Sequence, residues 1–242
     1  MEINELIQQL ASAIHHWLSY VSLCTNSNLL AENSVKYPFV EYIERKNGVT
    51  VVLEKTHPDF TSRHLDFWFK VNKCPLFVEL KYTSKATRGK KEIQRVFDDL
   101  IRLSLALHDN PNARCFFIMC GETITFKNNF KSIIDGRKYK KNIRQDGDGS
   151  TVDDTPSGPY AKWFGFTQDE EVVIDLLGDD DSYSHTKAFV EDYYSKDQDC
   201  SVLGFSSIKT IRVAYLPTGR QESRSQTVAI WEVLINKSGN DE

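Results

Sequence analysis

Between His64 and Cys120 the chain changes its hydrophobic period twice, and that succession leaves few folds open. Residues 65–71 alternate, with Leu65, Phe67, Phe69 and Val71 on one side and Asp66, Trp68 and Lys70 on the other. Asn72-Lys73-Cys74-Pro75 reads as a four-residue turn, and residues 76–82 (LFVELKY) as a strand apolar enough to lie inside a sheet. Residues 89–108 then switch to steps of three and four, with Val96, Phe97, Leu100, Ile101 and Leu103 among the buried positions. Asn110-Pro111-Asn112 stops that helix, and residues 114–120 (RCFFIMC) form another buried strand closed by Gly121. A tight turn joins antiparallel strands, whereas a helical crossover returns the next strand parallel. A mixed sheet is therefore expected.

The flanks extend this pattern. Ile3, Leu6, Ile7, Leu10, Ile14, Trp17, Leu18 and Val21 predict an amphipathic helix over 2–23. After the polar break TNSN (25–28), a second helix spans about 29–46 and either begins near Pro38 or kinks there. Asn47-Gly48 is a turn, 49–53 (VTVVL) a strand, and 57–63 a loop. Beyond Gly121, residues 135–159 are rich in Gly, Asp and Pro and read as a mobile loop. Residues 178–201 are acidic and in part helical, and 207–216 and 226–235 are strands that either extend the sheet or form a small hairpin subdomain. The expected fold class is α/β: an αβββαβ core over about 29–121 with a mixed sheet, an N-terminal helix, and C-terminal β additions over 122–237. All of this makes one domain over 1–237, and 238–242 are a fraying tail.

Composition narrows the function classes. With 40% hydrophobic and 26% charged residues, the chain has enough apolar side chains for a globular core. A net charge of −4 means that any nucleic-acid contact must use a local basic patch. The five cysteines include no C-x-x-C pair, which fits reduced thiols in a cytoplasm and argues against a structural zinc site. No apolar run approaches the ~18–20 residues that cross a bilayer, and the N-terminus has no basic n-region. A soluble, cytoplasmic protein without membrane contact is expected.

The hairpin also carries the chemistry. Pairing Val71 with Leu76 sets Asp66 opposite Lys81 and Trp68 opposite Glu79, so Asp66, Glu79 and Lys81 converge on one face. A one-residue slip separates them. Mg²⁺ takes hard oxygen ligands and usually only one or two carboxylates. Asp66 and Glu79 supply these, and the main-chain carbonyl of Leu80 offers a third oxygen. Lys81 would orient the attacking water or offset developing negative charge, with a pKa lowered by partial burial.

Asp66 and Glu79-Leu80-Lys81, on successive strands of an αβββαβ order, resemble the PD-(D/E)xK (restriction-endonuclease-like) nuclease superfamily over about residues 29–121. One departure is that Leu65, not Pro, precedes Asp66. The resemblance implies an endonuclease using Mg²⁺ (with Mn²⁺ able to substitute) to hydrolyse phosphodiesters, DNA favoured, with a homodimer as one option for its assembly. It also implies a further acid from the preceding helix. Glu41 is the best match, with Glu44 and Glu32 as rivals and Glu54 on the first strand as an outsider.

The segment 83–95 carries Lys85, Arg88, Lys90, Lys91 and Arg95 against the single acid Glu92, and with Lys81 makes a local basic surface suited to a phosphate backbone. Gln94, one turn into the helix, can face the same site. Trp68 is placed to stack on a base or to pack on a helix, and His57 and His64 read as structural more readily than functional. Trp163, Phe164 and Phe166 read as core or as a lid. Two other readings stay open: a nuclease-like scaffold that binds nucleic acid or a protein without cutting, and an unrelated α+β interaction domain.

Overall fold

A computed structural model of the chain describes residues 2–24, 30–60, 62–83, 90–123, 170–178, 180–195, 197–217 and 225–236. Helices α1 (Ile3–Cys24) and α2 (Glu32–Asn47) precede strands β1 (Val52–Thr56), β2 (His64–Val71) and β3 (Cys74–Thr83). Helix α3 (Lys90–Asp109) leads to β4 (Arg114–Glu122). The C-terminal part contributes β5 (Glu171–Asp175), α4 (Asp180–Tyr193), a 3₁₀ turn (Cys200–Leu203), β6 (Ser207–Pro217) and β7 (Gln226–Asn236). The strands form one seven-stranded mixed sheet in the order β1-β2-β3-β4-β7-β6-β5, so the C-terminal strands extend the sheet. Among the described residues only β3 and β4 are parallel, as the α3 crossover requires. The strand β5 had no counterpart in the sequence reading; it is short, with most of its residues exposed, at the sheet edge.

The sheet separates two apolar layers, and each central strand feeds both by alternation. In β4, Phe116, Ile118 and Cys120 pack toward α1 and α2, while Cys115, Phe117 and Met119 pack toward α3 and α4. In β7, Ile230 and Trp231 split the same way. Cys115 and Cys120 are buried strand residues, as expected.

Helix α2 starts at Glu32, six residues before Pro38, which lies inside it. Ser34 Oγ accepts the Ala31 N–H at 3.0 Å, satisfying one backbone donor at the helix start. Phe39, one residue past Pro38, stacks on Phe67 of β2 with ring centroids 3.8 Å apart. That contact fixes α2 over the β2–β3 hairpin, and Phe39→Ala would cost about 3–5 kcal/mol.

The hairpin turn differs from expectation. Asn72 and Lys73 both have positive φ, 50° and 69°, and Val71 pairs with Cys74. This is a two-residue turn whose twist matches that of the strands. The register therefore moves by two residues: Trp68 faces Phe77, not Glu79, and Lys81 is not opposite Asp66. An even shift keeps side chains on their faces, so the convergence survives the changed pairing.

Among the described residues no helix is long and apolar enough to cross a membrane. The segment 135–159, Trp163, Phe164 and Phe166, and the tail 238–242 lie outside the described residues.

Candidate active site

The paired ladder of β2 and β3 runs from Val71↔Cys74 to Phe67↔Val78 and stops short of Asp66. The β1–β2 ladder also skips Asp66: Leu53 pairs with Phe67 and Lys55 with Leu65, and Glu54 between them has φ of 50°. A left-handed conformation costs a non-glycine residue about 1–2 kcal/mol. The strand also changes face here. Phe67, Phe69 and Val71 pack toward α1 and α2, but Leu65 packs on the α3 side with Phe60 and Phe77, contrary to the single face expected from simple alternation. Freed from both ladders, Asp66 accepts the Leu80 N–H on Oδ2 at 2.8 Å and meets Lys36 Nζ of α2 with Oδ1 at 2.8 Å.

Asp66, Glu79 and Lys81 do come together. Oδ2 of Asp66 accepts the N–H of Leu80, the residue next to Glu79, and Asp66 is near enough to Glu79 to raise its pKa. Both side chains are buried. Lys81 Nζ sits 3.0 Å from Asp99 of α3 and 4.0 Å from Glu32 at the start of α2. Arg102, one turn after Asp99, reaches Glu79 Oε1 at 2.7 Å and Asp99 Oδ1 at 2.5 Å. Lys36 also pairs with Glu54. Four acids and three cations thus alternate at one end of the β2–β3 hairpin, with Glu54 at its rim.

Of the upstream acids, the structure brings Glu32, and not Glu41, to Lys81. Glu32 and Lys36 are one helical turn apart and share a face, whereas Glu41 is about 140° further round and pairs with Arg45 at 2.5 Å. Glu44 is occupied elsewhere, accepting the Val51 N–H at 3.0 Å. Uncertainty about Pro38 had hidden the helix start; the structure begins α2 early enough for its first turn to carry Glu32 toward Lys81.

Burial pushes Glu79 well up from the usual carboxylate range; Asp99 adds to the rise, Arg102 opposes it, and Asp66 adds further. Glu32 is raised mainly by burial, with Lys81 opposing. For Lys81, burial acts downward, but Asp99 and Glu32 outweigh it and its pKa rises. The expected lowering does not occur, because the ammonium is buried among carboxylates and not in an apolar pocket. The carboxylates around Lys81 favour its protonated form.

Sequence reasoning missed Lys36, Asp99 and Arg102. A signal existed for the last two: in DDLIRL, charges at 99 and 102 interrupt the apolar stripe of α3, and Asp99 is 2% exposed. Charged groups are almost never so buried unless paired.

The basic surface is only partly within view. Lys85 and Arg88 lie outside the described residues, and Lys90 and Lys91 open α3 with side chains that are not described. Gln94 is half-buried and Arg95 exposed. Lys81 does not join that surface, since it turns inward. Half-buried Trp68 packs against the α3-side layer, with Lys55 and Lys70 ammonium groups 5.4 and 5.5 Å from its ring centre. His57 is a buried tie: Nε2 donates to the Arg102 carbonyl at 2.9 Å, Nδ1 accepts the Asp59 N–H, and burial lowers its pKa. His64 Nδ1 donates to the Glu54 carbonyl at 3.0 Å.

Among the described residues, no group of three or more His, Cys, Asp or Glu side chains is arranged to hold a metal ion. The neighbouring carboxylates of Asp66 and Glu79 are nevertheless hard oxygen donors of the number that Mg²⁺ usually takes from a protein. The upward push on Glu79 is the electrostatic cost that a divalent cation would relieve. No family model matches the chain, and neither a curated protein nor a solved structure matches it.

Proposed function

We propose that this chain is a metal-dependent phosphodiesterase acting on nucleic acid, DNA favoured, with a site of the PD-(D/E)xK type. The observation that carries the reading is the meeting of Asp66 and Glu79 from neighbouring strands, with Lys81 held beside them by Asp99 and Glu32. The order α2-β1-β2-β3-α3-β4, with β3 and β4 parallel, is the arrangement that such a core needs.

In this reading Asp66 and Glu79 hold Mg²⁺ or Mn²⁺, with the Leu80 main-chain carbonyl as a further donor. Glu32 takes the role expected of Glu41. The cation supplies Lewis acidity and positive charge against the phosphorane-like transition state. The Leu80 N–H fixes the orientation of Asp66. Lys81 stays protonated, so it aligns the attacking water through a donated hydrogen bond and offsets charge on the phosphate oxygens. Arg95 and the Lys55–Trp68–Lys70 group offer cations and an aromatic face for a nucleic-acid strand.

One observation favours a second reading, a scaffold that binds without cutting. The buried carboxylates already have internal cations: Lys36 on Asp66, Arg102 on Glu79, and Lys81 on Asp99. A cleavage assay on duplex DNA, single-stranded DNA and RNA with Mg²⁺ or Mn²⁺ separates the two. Cutting by the wild type that is lost in Asp66→Ala and Lys81→Ala supports the nuclease. Cutting that survives both changes would sink this mechanism. No cutting of any substrate would favour the scaffold.

A further inference from the structure

The internal cations share a pattern. Lys36 binds Asp66 Oδ1 and also Glu54; Arg102 binds Glu79 Oε1 and also Asp99. Each carboxylate assigned to the metal therefore has its own resident cation. Each resident cation has a second carboxylate that is not assigned to the metal.

We infer that Lys36 and Arg102 are displaceable counter-ions, which hold Asp66 and Glu79 in the metal-free protein and retreat to Glu54 and Asp99 when a divalent cation binds. This inference rests on the metal-site reading above.

The geometry makes the exchange cheap on both sides. Glu54 is 56% exposed in its side chain, so Lys36 moving toward it moves toward water. Arg102 and Asp99 are three residues apart on one helix, so their pair persists through a small side-chain movement. Neither cation is left buried and alone, which would be strongly destabilising. Arg102 is also incompletely held: among the described residues its buried Nε has no hydrogen-bond partner. A guanidinium seated for permanence would normally use its fork on one carboxylate. The arrangement explains how two buried, neighbouring carboxylates are tolerated before metal arrives. It also sets a threshold, because metal must compete with lysine and arginine for the same oxygens.

The test is Mn²⁺ binding to the full chain, read from the electron paramagnetic resonance of free Mn²⁺, with thermal melting in EDTA and in Mn²⁺. The variants are Arg102→Met and Lys36→Met, with Glu79→Gln as the ligand control. A counter-ion that occupies its carboxylate nine-tenths of the time weakens apparent binding about tenfold. Each cation variant should therefore bind Mn²⁺ about tenfold more tightly than wild type. Arg102→Met should melt lower in EDTA and gain more from Mn²⁺ than wild type does. Lys36→Met, with its exposed second partner, carries the test if Arg102→Met does not fold. Binding to wild type that is abolished in Glu79→Gln but no tighter in the cation variants overturns this inference and leaves the metal site standing. Binding seen only in the cation variants supports it. Absence of binding in every form overturns both.

Discussion

Two arginines of this protein each bridge neighbouring elements through carboxylates, and they do so differently. Arg114 at the start of β4 puts Nε and Nη2 on the two oxygens of Glu232 in β7, both at 2.7 Å, and reaches Asn4 of α1 at 2.6 Å. Its fork is matched to one partner, and it ties two paired strands to a helix. Arg102 spreads Nη2 over Glu79 and Asp99, with its Nε buried and without a hydrogen-bond partner among the described residues. The first arrangement makes the most of a fixed pair. The second gathers like charges around a cation that does not satisfy them fully, which is costly for stability and suited to a site whose charge balance changes on binding.

The sharpest break between the two regions is in activity. Asp99→Asn removes the carboxylate that holds Lys81, so turnover of the proposed nuclease should fall about 100-fold, the size of a roughly 1 Å misplacement. Glu232→Gln should leave turnover unchanged. Equal losses in both would erase the distinction. The reverse asymmetry is expected in stability. Arg114→Met loses a bidentate charged pair and should cost about 2–3 kcal/mol in urea unfolding, with Mn²⁺ affinity unaltered.

A smaller effect tests whether unbalanced carboxylates are confined to the site. Asp59, in the loop after β1, is pushed up to about 7 by burial, then by its hydrogen bond to Asp109 and the charge of that residue. Its unfolded pKa is about 3.9. The protonated form is favoured in the folded state, so the stability it contributes is complete below about pH 3.9 and is lost as pH rises through about 7. Asp59→Asn should therefore melt higher than wild type at pH 8, and the difference should shrink toward pH 4. A constant difference across that range would refute the shared proton. The smallest effect is at Glu41. Glu41→Gln should change stability by less than about 0.5 kcal/mol and leave cleavage unaltered, because its exposed pair with Arg45 is of the weak helical type. Glu32→Gln should reduce cleavage.

Much of the framework was legible in the sequence because it depends on local period. The helix over 2–23 is observed at Ile3–Cys24, and the strands at 207–216 and 226–235 as Ser207–Pro217 and Gln226–Asn236. The turn at Asn72 was visible, but its length was not. The two-residue form needs positive φ at Lys73 as well as Asn72, and lysine does not advertise that conformation. β5 escaped because Glu171–Asp175 offers only a short apolar centre at a sheet edge.

By itself, then, the sequence determined most of the helices and strands, that β3 and β4 would be parallel, and that Asp66, Glu79 and Lys81 would share a neighbourhood. It did not determine β5, and the first strand, expected at 49–53, is Val52–Thr56. Alternation along β3 is enough to put Glu79 and Lys81 on one face, while Asp66 joins them where β2 leaves its ladders. Only the tertiary structure decided which helix side chains meet those three. Glu32, and not Glu41, lies near Lys81 because the start of α2 sets its phase against the sheet. Asp99, Arg102 and Lys36 joined because α3 and α2 pack on opposite faces of the sheet and converge where β2 leaves both its ladders at Asp66. Contacts between elements distant in sequence leave little periodic trace along the chain; here the charges that interrupt the α3 stripe are that trace, and they do not name their partners.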